Sequence, residues 1–97
     1  MNVANCTKYE DADFSKFPML EELVMTGCTS VHAVTLPDGS SIKKLYLPAN
    51  LQELVLENKV NLTNIEIEGT DQLNYIVMKN CSDITLDFIF KILNKIY

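Results

Sequence analysis

The sequence predicts a mainly β repeat solenoid, about four flattened coils with short parallel strands on two faces and a C-terminal capping α-helix. An apolar LxxLxL pattern falls into register as Leu20-Leu23-Met25, Val31-Val34-Leu36, Ile42-Leu45-Leu47, Leu51-Leu54-Leu56, Leu62-Ile65-Ile67 and Leu73-Ile76-Met78, with starts 11, 11, 9, 11 and 11 residues apart. The cysteines keep the same frame: Cys6, Cys28 and Cys81 each stand three residues after the last apolar position of a window, where other windows carry Phe17, Gly39, Asn50, Lys59 and Thr70. From Asp83 the pattern changes to DITLDFIFKILNKIY, which is periodic as a helix.

Run backwards, the frame yields Tyr9-Ala12-Phe14 and a partial window of Val3 and Cys6. The whole of 1–97 is one domain: 1–19 an irregular or truncated N-terminal coil, 20–83 regular repeats and 84–97 the helix cap. Two readings of the first coil stand, a cap formed by Tyr9 to Pro18 or a chain cut from a longer repeat array. In each window, period-2 alternation sends residues such as Leu23 and Met25 inward and Glu22, Val24 and Thr26 outward. Eleven residues suffice for one short strand and one corner, but not for the return path to a parallel strand directly above. Consecutive windows therefore lie on opposite sides of a coil of about 22 residues. Windows starting at 20, 42 and 62 make one sheet, and those starting at 9, 31, 51 and 73 the other. The nine-residue step shortens one corner after Pro48 without changing face. In the final segment Leu86, Ile89, Phe90, Leu93 and Tyr97 share a helical spacing, with Asp83 or Thr85 as N-cap and Lys91 and Lys95 at the negative end of the helix dipole.

Composition narrows the partners. The formal charge is −5 and all eight cations are lysine, so neither the basic field nor the guanidinium forks that serve nucleic-acid binding are present. No stretch approaches the roughly 18 unbroken apolar residues of a membrane helix, and the first residues do not read as a signal peptide. With only Gly 3 and Pro 3, the corners must be built from Asn, Thr, Ser and Cys.

Motifs such as LEELVMTGCTSVHAVTL and LTNIEIEGTDQLNYIVMKNCSDI resemble leucine-rich repeats, most closely a two-strands-per-coil variant of bacterial and phage surface or virion proteins. The resemblance covers 20–84 well and 1–19 loosely. It implies a non-catalytic binding or structural module for protein or glycan, at a virion or cell surface if the chain is a segment of a longer protein. Asn in the repeat's Asn/Cys slot occurs only at Asn50, a departure that weighs against a regular asparagine ladder.

No catalytic residue, cofactor or metal is expected. An odd number of cysteines argues against a closed disulfide framework, although Cys6 and Cys28 stack at one corner; buried free thiols are the plainer reading. No CxxC or HxxxH spacing suggests zinc. His32 follows Cys28 at a spacing that invites a nucleophile–base pair, but the frame places it outward on the next strand. Glu66, Glu68 and Asp71 form the densest carboxylate group and read as a solvated face rather than a calcium site. Asn5-Cys-Thr, Asn61-Leu-Thr and Asn80-Cys-Ser match the glycosylation triplet, as corner Asn and Thr do by chance.

The outward columns carry the functional signal. One sheet presents Val24, Tyr46 and Glu66, with Glu22 beside Lys44; the other presents Thr35, Val55 and Val77, flanked by Ala33 and Tyr75. Val24, Tyr46, Val55, Tyr75 and Val77 are the candidate partner-binding surface, since exposed aromatic and apolar columns suit interface cores, though strand propensity alone also favours them. The function expected is a non-catalytic recognition or scaffold module. The alternative is a small acidic effector or inhibitor that masks an enzyme's basic groove. An open N-terminal coil would also allow a homodimer by strand pairing.

Overall fold

The computed structural model describes residues 1–8, 10–39 and 41–96, the side chains of Asp11 and of 93–96 excepted. It is a parallel β-solenoid of about three turns ending in one helix. The strands are β1 (Asp11–Asp13), β2 (Glu22–Val24), β3 (Ala33–Thr35), β4 (Lys44–Leu47), β5 (Glu53–Glu57), β6 (Asn64–Ile67) and β7 (Tyr75–Lys79), followed by α1 (Asp83–Ile96). They sort as the frame predicts, into a three-stranded sheet β2-β4-β6 and a four-stranded sheet β1-β3-β5-β7. Register follows the sequence spacing: Val24 pairs with Tyr46 and Tyr46 with Glu66 on one side, Val55 with Val77 on the other. The count of about three turns is close to the four of the frame because α1 takes the place beside β6 where a further strand would lie.

Alternation builds the core. In β5 exposed and buried residues strictly alternate, so Leu54 and Leu56 join Leu23, Met25, Ile42, Leu45, Leu47, Leu51 and Leu62 in a continuous apolar interior. The first residues join the same array, with the window starting at Tyr9 supplying β1 where the frame places it. Asn2 bridges Val24 in parallel, Val3 and Asn5 donate N–H groups to Val24 O and Thr26 O, and β1 pairs with β3 in full register. At the end of β1 the Ser15 side chain and N–H bond to Asp13, the latter at 2.9 Å, and lower the pKa of its exposed carboxyl. Tyr9, the first residue of that window, lies outside the described residues.

The corners are made by left-handed residues just before the slot the cysteines occupy. Asn5, Gly27, Asn58 and Asn80 have φ of 62°, 78°, 60° and 52°, a region that Asn and Gly enter most readily. At Gly27 a Cβ would in addition stand 2.1 Å from Asn5 Oδ1, so any larger residue there would have to displace the Asn5 side chain.

The helix keeps its expected place, but its inward face shares only Ile89 with the expected stripe among the residues whose side chains are described, and its cap differs. Ser82, rather than Asp83 or Thr85, is the N-cap: its Oγ accepts the Thr85 N–H at 3.4 Å, lies 3.0 Å from Thr85 Oγ1 and donates to Leu62 O at 2.7 Å. That tie to the preceding coil sets the rotation of α1. Thr85, Ile89 and Ile92 face inward, whereas Leu86 and Phe90 remain 37% and 62% exposed. The expected packing of Leu93 and Tyr97 and the placement of Lys95 fall outside the described residues and side chains. Ser82→Ala is expected to lower stability by about 1–2 kcal/mol, through the lost cap and the lost bond to Leu62; an unchanged urea midpoint would contradict this anchoring role.

Candidate functional site

The five candidate partner-binding residues divide between the two sheets, as their windows place them. Val24 and Tyr46 lie on the three-stranded sheet; Val55, Tyr75 and Val77 lie on the four-stranded sheet of the opposite side. Each group has a distinct character.

On the four-stranded sheet, Val55 and Val77 are directly paired across β5 and β7, and Tyr75 pairs with Glu53 one row away. Val55 is 38% and Tyr75 53% exposed, while Val77 is half-buried. Neighbouring strands stand about 4.8 Å apart, so these side chains make one contiguous apolar patch.

On the three-stranded sheet Val24 and Tyr46 are half-buried. The Tyr46 hydroxyl accepts a hydrogen bond from Asn64 Nδ2 at 2.9 Å, which fixes the ring. Beside it a groove of about 780 Å³ runs between β6 and α1, lined by Asn64, Glu66 and Glu68 on the strand side and by Ile84, Asp87 and Phe88 on the helix side. Glu68 Oε1 accepts the N–H of Gly27 two coils away, so its carboxylate ties three coils together. Among the described residues the ion pair is Lys43–Glu21, at 3.0 Å between exposed side chains, which leaves Glu66 and Asp87 without a cationic partner.

The reactive side chains are engaged separately. Cys6, Cys28 and Cys81 are free thiols. Cys28 Sγ donates to Val3 O at 3.1 Å and Cys81 Sγ to Leu56 O at 3.3 Å, each reaching the coil beneath. His32 is exposed with Nδ1 3.4 Å from Asn50 O, so Cys28 and His32 face different partners. Among the described residues no group of three or more His, Cys, Asp or Glu is arranged to hold a metal ion. Two of the three glycosylation-type asparagines are corner residues: Asn5 and Asn80 have left-handed backbones, and Asn80 Nδ2 donates to Asn58 Oδ1 at 3.0 Å.

At four positions of the slot, Cys28, Asn50, Lys59 and Cys81, the side chain donates to the coil beneath. Asn50 Nδ2 donates to Thr29 O at 2.8 Å, in the manner of Cys28 and Cys81. Lys59 does the same, its Nζ 2.9 Å from both Pro37 O and Gly39 O, and it is only 4% exposed. Burial lowers the ammonium pKa below its ordinary 10.5, against the opposing pull of Asp38 and Glu57. The residue types gave no warning of a buried lysine; its position in the Cys/Asn slot was the available signal. The β6–α1 groove had no such signal, because it depends on the rotation of the helix.

No protein-family model, curated protein or solved structure matches this chain.

Proposed function

We propose that the protein is a non-catalytic recognition or scaffold module of the leucine-rich-repeat kind. It binds a protein or glycan through a solenoid face, as part of a bacterial or phage surface or virion protein. The observation that supports this most is the contiguous Val55–Val77–Tyr75 patch on a rigid parallel sheet. An exposed tyrosine flanked by apolar neighbours supplies a large contact area with little conformational entropy to lose. The slot pattern supports the repeat class, since Cys, Asn and Lys all use that position to bond the coil beneath.

The test is a double variant, Val55→Ser with Tyr75→Ala, compared with the wild type on glycan and protein arrays. A ligand of the wild type is expected to bind the variant about tenfold or more weakly, the loss of one interface anchor, with the denaturation midpoint little changed. Equal binding by both proteins, or no ligand on either array, overturns the reading.

A further inference from the structure

The slot residues run up the two corners of the solenoid in two columns. Cys6, Cys28, Asn50 and Thr70 make one, and Phe17, Gly39, Lys59 and Cys81 the other. Cys6 and Cys28 are therefore the cysteines that meet on adjacent coils, whereas Cys81 has Lys59 beneath it.

The two coils are held in register up to the cysteines themselves. Val3 and Asn5 donate their N–H groups to Val24 O and Thr26 O at 2.9 and 2.8 Å. One residue before the cysteines the backbones nearly touch, since a Cβ on Gly27 would stand 3.4 Å from the Asn5 Cα. The turn into each cysteine is also the same: Cys6 N–H donates to Val3 O and Cys28 N–H to Met25 O, both at 3.2 Å. Equal turns on stacked coils set the two Cα atoms near the strand spacing of about 4.8 Å, inside the range of about 4.4–6.8 Å that a disulfide spans. Cys28 Sγ donates to Val3 O at 3.1 Å, the oxygen that also holds Cys6 N–H, so the upper thiol reaches down to the residue beneath it. Cys28 is 1% exposed and Cys6 half-buried, so solvent reaches Cys6 first.

We propose that Cys6 and Cys28 are a peroxide-oxidisable dithiol that closes into a disulfide and staples the first coil to the second. The Cys6 sulfur attacks one oxygen of hydrogen peroxide, the O–O bond breaks, and a sulfenic acid forms as water leaves. The Cys28 sulfur then attacks the Cys6 sulfur. The S–S bond forms, the S–O bond breaks, and the departing hydroxide takes the Cys28 proton to become a second water. Two thiols lose two electrons and the peroxide gains them. Closure orphans no acceptor, because Val3 O keeps its bond from Cys6 N–H. The consequence falls on the end of the array, where a coil with one neighbour opens most readily. Oxidation thus sets how firmly the first coil is held.

The test treats the reduced, intact 97-residue chain with hydrogen peroxide, then maps it by alkylation and non-reducing peptide mass spectrometry. Loss of two hydrogens is expected, with a cross-link between the peptides holding Cys6 and Cys28 and with Cys81 still alkylated. Cys81→Ser is expected to leave the cross-link intact, and Cys6→Ser to abolish it. The oxidised wild type is expected to melt about 5 °C or more above the reduced form, with the Val3 and Asn5 amides exchanging about tenfold more slowly. Dithiothreitol reverses both effects, and Cys6→Ser shows neither. Three thiols still open to alkylation after peroxide, a cross-link through Cys81 or between two chains, or a disulfide that leaves the melting point unchanged or lowers it would each overturn the proposal.

Discussion

Replacing Lys59 with methionine is expected to destabilise the protein by about 2–4 kcal/mol, an effect of a size otherwise reserved for core truncations. Methionine reproduces most of the buried stem, so little packing is lost. What disappears is the donor for Pro37 O and Gly39 O, each bonded by Nζ at 2.9 Å. The Pro37 carbonyl, in a buried residue, is left without a donor and loses its share of solvation with nothing in return, whereas Gly39 is exposed and its carbonyl can turn to water. The coil beneath has Gly39 in the equivalent slot, with no side chain of its own, so the join between these coils at that corner falls to Lys59. A urea midpoint within error of the wild type would show that the two carbonyls find other donors.

The same residue predicts a pH dependence of definite sign. Its folded pKa lies below the ordinary 10.5 because of burial, so between the folded value and 10.5 the unfolded chain binds more protons than the folded one. Stability therefore rises with pH across that window. The neutral amine still donates two hydrogen bonds, which is why deprotonation does not undo the join. The stability difference between wild type and Lys59→Met is thus expected to widen as pH rises towards 10.5. A difference that shrinks over this range would mean that the charge, rather than the hydrogen-bond donors, holds the corner.

The repeat frame was legible because a solenoid repeats the same in-and-out choice every coil. Leu23, Leu45 and Ile65 occupy one register column, and so do Val55 and Val77; spacing alone assigns them. What spacing cannot assign is anything decided once in the chain. The rotation of α1 depends on Ser82 Oγ reaching Leu62 O, a contact between adjacent coils. With helical spacing alone, the face holding Leu86 and Phe90 and the face holding Thr85, Ile89 and Ile92 are both apolar enough to pack. The groove inherits that dependence, since Asp87 and Phe88 reach it only in the observed rotation. The left-handed pairs Asn5–Gly27 and Asn58–Asn80, one at the corner after each sheet, were visible in the letters but not in the apolar pattern, because backbone conformation, not hydrophobicity, selects them.

Leu45→Ala is expected to lower stability by about 3–4 kcal/mol and Leu73→Ala by about 2 kcal/mol, although both remove the same atoms from the interior. Leu45 is fully buried at the centre of the three-stranded sheet, registered against Leu23 on one side and Ile65 on the other. Leu73 is 6% exposed and sits in the last window, with a strand of only one neighbouring coil to pair with. In a solenoid each coil is stabilised mainly by its nearest neighbours, so a cavity in the middle weakens two interfaces and one at the end weakens one. The distinction extends to cooperativity. Native-state hydrogen exchange is expected to show β2, β4 and β6 losing protection together in Leu45→Ala, whereas in Leu73→Ala the loss concentrates in β7 and α1. Equal and uniform loss of protection in both variants would mean that the chain unfolds as one unit, with interactions across the whole array strong enough to hide the coil-by-coil construction.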